Sequence, residues 1–209
     1  MLQRTPEWFA ARLGKVTASR INDVLAYIGK NKTEEGVTRR NYRRELALER
    51  WSGKSQERDY VSGAMLAGIE LEAEARDEYA YQKGVEVTET GFQAHPMISM
   101  AGASPDGLVG DDGLLELKCP ESNAMWEALC QRPLERRYKL QAMFQLACHG
   151  RRRWVDVCFY RDGCGIEVIR LIHDSIEIDL IEREVIRFLA EVEADYQELL
   201  RIKGPRPIT

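Results

Sequence analysis

Apolar residues recur at two different periods along this 209-residue chain, and the change from one to the other divides it. In the first third the spacing is helical. Ile21, Val24, Leu25 and Ile28 recur at three and four residues, behind Thr17 or Ser19 as candidate N-cap. Tyr42, Leu46 and Trp51 carry a second helix to Gly53, and Leu66, Ile69, Ala73, Arg76 and Ala80 line a third that closes at Gly84. Beyond it the period drops to two. Val85, Val87 and Phe92 point inward along one strand, and the stretches on either side of Gly110-Asp111-Asp112-Gly113 read as a hairpin. Leu140, Met143, Phe144 and Ala147 return to helical spacing, and two further strands meet at the turn Asp162-Gly163-Cys164-Gly165. A last helix, about 174–202, is marked by Ile178, Ile181, Val185, Phe188, Leu189 and Val192. This order predicts one α/β (α+β) domain: a helical region about 1–84, a central mixed β-sheet about 85–172 flanked by helices, and the closing helix.

Composition narrows the class without changing the fold. With 44% hydrophobic and 31% charged residues, the chain reads as an ordinary soluble globular protein. No apolar run nears the ~20 residues of a membrane span, and the N-terminus lacks a signal-peptide core. Cys119, Cys130, Cys148, Cys158 and Cys164 show no CxxC pairing, which fits free thiols in a reducing cytoplasm and argues against zinc or a disulfide framework. His95, His149 and His173 lie in unrelated contexts, so covalent catalysis through a nucleophile–His–acid set is not expected.

The net charge of −4 conceals a pattern. Residues 57–119 hold 13 Asp/Glu against 4 Lys/Arg, whereas residues 1–56 hold 6 against 12 and residues 120–153 hold 3 against 7. Such runs are often no more than solvated helix faces. A carboxylate-rich centre between basic flanks is also what a metal-dependent enzyme acting on a polyanion needs. Arg39-Arg40-Arg43-Arg44 and Arg132-Arg136-Arg137-Lys139 are candidate contacts to a nucleic-acid backbone; Arg151-Arg152-Arg153 is either another or a helix-end cluster.

Inside the acidic block stands "GASPDGLVGDDGLLELKCP", Gly102 to Pro120. The Gly/Asp turn folds one strand onto the other, which sets Asp106 and Glu116 near neighbouring positions at one end of the sheet. Glu116 and Lys118, two residues apart, share a face, while Leu115 and Leu117 point the opposite way into the core. Two hard oxygen anions suit Mg²⁺, which keeps several waters and binds through one or two carboxylates plus substrate phosphate. Lys118 can orient or deprotonate a nucleophilic water, or offset charge on the phosphate. The spacing is consistent with hydrolysis of phosphodiesters. Taken singly, ExK on a strand is usually an exposed ion pair and Pro-Asp-Gly a common turn.

Pro105-Asp106 followed by Glu116-Leu117-Lys118 resembles the motif of the PD-(D/E)xK nucleases, whose core is restriction-endonuclease-like. The wider "SPDGL…GLLELKCP" resembles the phage lambda exonuclease, or YqaJ-type viral recombinase, family. Three other stretches are similar to that family in the same order: "WFAARLGKVTAS", "GIELEAEAR" and "YKLQAMFQ". Together they run from Trp8 to about Gln145.

The resemblance implies a role for each matched residue. Asp106, Glu116 and the carbonyl of Leu117 would hold the metal, Mg²⁺ with Mn²⁺ as a substitute. Lys118 would serve the attacking water, Glu72 would approach from the preceding helix, and Gln141 and Tyr138 would lie at the edge of the site. Arg12, Thr17, Ser19 and Ser104 would hold a 5′-terminal phosphate, by an arginine fork and hydroxyls. Trp8 would pack near the terminal nucleotide and Met65 would part the duplex, with Arg137 a further DNA contact. It also implies 5′-to-3′ digestion of one strand at the ends of linear double-stranded DNA, leaving a 3′ overhang, by a homotrimeric ring beside a single-strand annealing protein, phage- or prophage-encoded in a bacterial cytoplasm. The rivals are another PD-(D/E)xK endonuclease, of restriction or resolvase type, and a non-catalytic module that binds DNA ends.

Overall fold

The computed structural model describes residues 2–31, 33–56, 63–120 and 122–206, without the side chains of residues 63–70. The elements are α1 (Pro6–Arg12), β1 (Val16–Thr17), a 3-10 turn (Ala18–Arg20), α2 (Ile21–Val24), β2 (Tyr27–Ile28), β3 (Glu34–Glu35), α3 (Val37–Ser52) and α4 (Gly63–Lys83). There follow β4 (Val87–Thr88), β5 (Gln93–Ala94), β6 (Ala101–Ala103), β7 (Gly107–Val109) and β8 (Gly113–Lys118). The chain then runs through α5 (Ser122–Leu129), α6 (Arg136–Cys148), β9 (Trp154–Arg161), β10 (Gly165–Ile172) and α7 (Ser175–Lys203). The architecture is mixed α+β. A five-stranded sheet has the order β10-β9-β8-β7-β4, a three-stranded sheet the order β1-β6-β5, and β2 pairs with β3.

The hairpin read around Gly110–Gly113 is β7 and β8, with Val109 opposite Gly113 and Gly107 opposite Leu115. The strand before it does not continue into β7. β6 leaves for the other sheet, where it lies parallel to β1 with Thr17 opposite Gly102. Pro105 explains the break, because it has no N–H to give to a ladder. Ser104-Pro105-Asp106 is therefore a three-residue bridge between two sheets.

β8 and β9 run parallel, so they need a crossover, and α5 and α6 supply it. This lays α6 over the face of β8 that carries Leu114, Glu116 and Lys118. The main core lies on this side, where Leu114, Val155, Val157 and Phe159 meet Leu140, Phe144, Ile181, Val185 and Phe188. Leu115 and Leu117 point the other way, as read from the sequence. Their side holds a smaller cluster with Ala75 and Tyr79 of α4. The strand that carries Glu116-Leu117-Lys118 is thus buried on both faces, and Glu116 shares its face with the larger core.

α7 is the longest helix and binds through one stripe. Ile178, Ile181, Val185, Phe188 and Val192 are buried, and Asp174 caps the start by accepting from the N–H groups of Ile176 and Glu177. Phe188→Ala would cost roughly 3–5 kcal/mol.

Three sequence expectations change. The helix read from Thr17 onward shortens to α2, because Ala26 already gives its carbonyl to Gly36 at the β2–β3 pair. The strand read through Val85 and Phe92 becomes β4 and β5 in different sheets, with Val85 exposed. Helices α1 and α5 were not anticipated, although Thr5 as N-cap and Pro6 at the first turn are the ordinary start of a helix.

Candidate active site

Asp106 lies just before β7 and bonds across to β8 twice. Its N–H donates to Leu115 O at 2.9 Å, and its Oδ2 accepts the Leu117 N–H at 2.7 Å. Glu116, 5% exposed, is gripped more fully. Its Oε1 accepts from Lys118 Nζ and from Gln141 Nε2, both at 2.6 Å, and Lys118 Nζ also reaches Gln141 Oε1 at 3.2 Å. Gln145 Nε2 donates to the other oxygen, Oε2. Lys118, Gln141 and Glu116 form a closed triangle, with Tyr138 at its edge, 5.6 Å from the Lys118 ammonium to the ring centre.

Gln145 is the residue that sequence reading missed. It is fully buried, one turn after Gln141 on the same side of α6. The available signal was a second glutamine at four-residue spacing inside an otherwise apolar run.

Burial and the neighbouring Glu116 push the Asp106 carboxyl well above the ordinary carboxylate range, with Glu72 adding to the push. The Leu117 N–H and Lys118 work against it. At Lys118, burial works against the ammonium, but Glu116 outweighs it and the net shift is upward. A divalent cation relieves this kind of carboxylate crowding, and the donor chemistry fits one. Among the described residues Asp106 Oδ1 has no hydrogen-bond partner, and none of their side chains build a cluster of three or more His, Cys, Asp or Glu that would cage a metal outright. Two neighbouring carboxylates, one of them with a free oxygen, match a hard cation that completes its shell with water and phosphate.

Glu72 of α4 is ion-paired with Arg4, whose side chain is 43% exposed against 27% for Glu72. Arg4 has φ +65, a left-handed backbone that costs a side-chain-bearing residue roughly 1–2 kcal/mol. An ion pair this exposed returns about 0–1 kcal/mol. The side chain of Met65 lies outside the described residues.

The residues expected at a 5′ phosphate gather around α1, β1 and the end of β6. The Trp8 indole donates to Ser104 Oγ at 2.9 Å, and the Arg12 guanidinium lies 3.9 Å over the Trp8 ring. Thr17 Oγ1 and Ser19 Oγ are 3.3 Å apart, and the Thr17 N–H donates to Tyr42 Oη at 3.2 Å. Arg12 and Thr17 line one cleft together with Lys15 and Arg20, two cations not singled out from the sequence. Gly14 stands between Leu13 and Lys15 of that lining. It has φ +67, and a Cβ there would stand 2.8 Å from Arg50 Cγ.

The basic clusters divide. Arg39 is 1% exposed and bonds to Glu191, Glu35 and the Val24 carbonyl, while Arg43 pairs with Glu35 and Asp195. This corrects their reading as DNA contacts: both hold α3 to α7 and to β3. Arg152 donates to Gly110 O and Gly113 O, so it braces the β7–β8 turn. Arg137 stays at the surface, paired with Glu135 and donating to Tyr138 Oη at 2.9 Å.

A family model described as the YqaJ-like viral recombinase domain matches residues 7–152. An alkaline exonuclease from Laribacter hongkongensis, LHK-Exo, is 42% identical over 95% of this chain and 97% of its own, with a TM-score of 0.83. The structure of LHK-Exo in complex with dAMP gives the same identity and coverage and a TM-score of 0.85. A phage related exonuclease from Haemophilus somnus 129PT is 14% identical over 90% of this chain and 96% of that one; its TM-score of 0.67 speaks for the fold alone. None of the curated proteins matches. The family match over most of the chain, and the near-complete alignment with LHK-Exo, agree with the geometry around Asp106: this chain belongs to the YqaJ-like viral recombinase domain family.

Proposed function

We propose that the chain is a metal-dependent exonuclease that digests one strand of linear duplex DNA from its 5′ end and leaves a 3′ overhang. One observation carries the reading. Ser104, bonded to Trp8 in the end pocket of this proposal, and Asp106, bonded into the carboxylate centre, stand two residues apart on the bridge between the sheets. A site that grips a terminal phosphate next to a cutting centre fits an enzyme that starts at ends.

The roles follow from chemistry. Asp106, Glu116 and the Leu117 carbonyl would hold the metal, for which Mg²⁺ suits the hard donors and Mn²⁺ is a substitute. Bound there, the ion supplies Lewis acidity toward the phosphoryl oxygen and a more acidic water. Lys118, held by Glu116 and Gln141, orients the attacking water and offsets charge on the phosphate. Gln141 and Gln145 fix the Glu116 carboxylate, and Glu72 adds charge at the rim. Arg12, Thr17, Ser19 and Ser104 hold the 5′ phosphate, Trp8 supports Arg12, and Tyr138 and Arg137 line the approach. The family resemblance extends the proposal to a homotrimeric ring acting beside a single-strand annealing protein.

The test is a time course on linear duplex DNA with Mg²⁺, comparing 5′-phosphorylated ends, 5′-hydroxyl ends and closed circles. Loss of the 5′-phosphorylated strand with circles intact, stopped by a chelator, is the expected result. Cutting of closed circles would sink the end-directed reading in favour of an endonuclease.

A further inference from the structure

We infer that Arg4 is a phosphate-binding residue of the catalytic centre, held on Glu72 until a DNA strand reaches the site. The inference rests on the exonuclease reading and adds a residue to it.

The first observation is the backbone. Arg4 is left-handed at φ +65, and its neighbours enforce that shape. On one side Gln3 Nε2 donates to Pro105 O at 2.8 Å. On the other, the Thr5 hydroxyl donates to Leu2 O at 3.1 Å and caps α1 by accepting from the Trp8 N–H at 3.3 Å. Strain fixed from both sides, and not recovered by a half-exposed ion pair, is a mark of functional placement rather than of stability.

The second observation is where this puts the guanidinium. The Gln3 anchor is Pro105, between Ser104 of the end pocket and Asp106 of the carboxylate centre. The Arg4 side chain crosses to Glu72, whose charge is felt at Asp106. An incoming phosphodiester meets the charge of Asp106 and Glu116, to which Glu72 adds from α4. Of the cations facing them, Lys118 is already shared between Glu116 and Gln141. Between these two described cations Arg4 has the more exposed partner, so it can trade a carboxylate for a phosphate. A guanidinium suits that exchange, because its fork takes either anion through two parallel N–H bonds.

The experiment measures binding of a fluorescent duplex with a 5′-phosphorylated end across a series of salt concentrations. The proteins carry Lys118→Ala to suppress cleavage, alone or with Arg4→Gly or Arg4→Lys. Glycine accepts the positive φ, so Arg4→Gly removes the charge and keeps the fold, which its melting temperature verifies. The expected result is about five- to tenfold weaker binding with Arg4→Gly, a log–log salt slope shallower by about one, and partial recovery with Arg4→Lys. Equal affinity and slope in the Arg4→Gly protein would overturn the role of Arg4 while leaving the exonuclease reading standing. If the parent protein, kept from cleaving by a chelator, also fails to bind DNA ends, the exonuclease reading falls and takes this inference with it.

Discussion

Trp8 and Ser104 are joined by a 2.9 Å hydrogen bond across 96 residues of chain. It ties the first helix to the bridge between the sheets, and it fixes the ring on which Arg12 lies. Trp8→Phe keeps an aromatic face under Arg12 and removes the donor to Ser104. The expected outcome is a loss of about 1 kcal/mol in stability and a several-fold smaller preference for 5′-phosphorylated over 5′-hydroxyl ends. Denaturant melts and paired cleavage rates check both.

Gln145→Leu tests the hidden support of Glu116. The substitution is close in volume but leaves Glu116 Oε2 without the donor it has now. A buried acceptor stripped of its partner costs about 1–3 kcal/mol. The single-turnover cleavage rate should fall at least tenfold while affinity for DNA ends stays near that of the parent protein.

Arg39→Met separates scaffold from substrate contact. Arg39 is buried among Glu191, Glu35 and the Val24 carbonyl, and removing one side of such an arrangement costs roughly 3–5 kcal/mol. The melting temperature should drop by roughly 10 °C. The salt slope of DNA binding should not change, since Arg39 meets no phosphate. A shallower slope would return Arg39 to the DNA-contacting set.

Alkaline pH should loosen the fold through Tyr42. Burial pushes its hydroxyl up to about 12. Because the folded value lies above the ordinary one, the contribution is complete below about pH 10 and is lost as pH rises toward the folded value. Stability should fall by about 1 kcal/mol between pH 9 and pH 11 from this residue. Tyr42→Phe, measured by denaturant melts over that range, should lose the Thr17 N–H bond at neutral pH yet show a shallower alkaline decline.

The carboxylate centre was legible because its signals are local. A Gly/Asp turn and strand alternation put Asp106, Glu116 and Lys118 together without knowledge of the rest of the chain. The supports of that centre were not legible in the same way. Gln145 looks like one more position in an apolar helix until the β8–β9 crossover lays α6 on Glu116. Arg39 and Arg43 show the opposite failure. Their run of positive charge says nothing of the acids on α7, about 150 residues later, that neutralise them. The break of β6 from β7 was written in Pro105, but the sheet that receives β6 was not, because its partner β1 is only two residues long.

The bridge Ser104-Pro105-Asp106 has a consequence for product length. Three residues of extended chain span at most about 10 Å. On the exonuclease reading, the grip on the end and the point of cleavage are therefore separated by a ruler made of covalent bonds. Its length does not vary with DNA sequence or salt, and neither would the number of nucleotides released per cut. A residue inserted into the bridge would change that number before it changed how tightly the protein holds DNA.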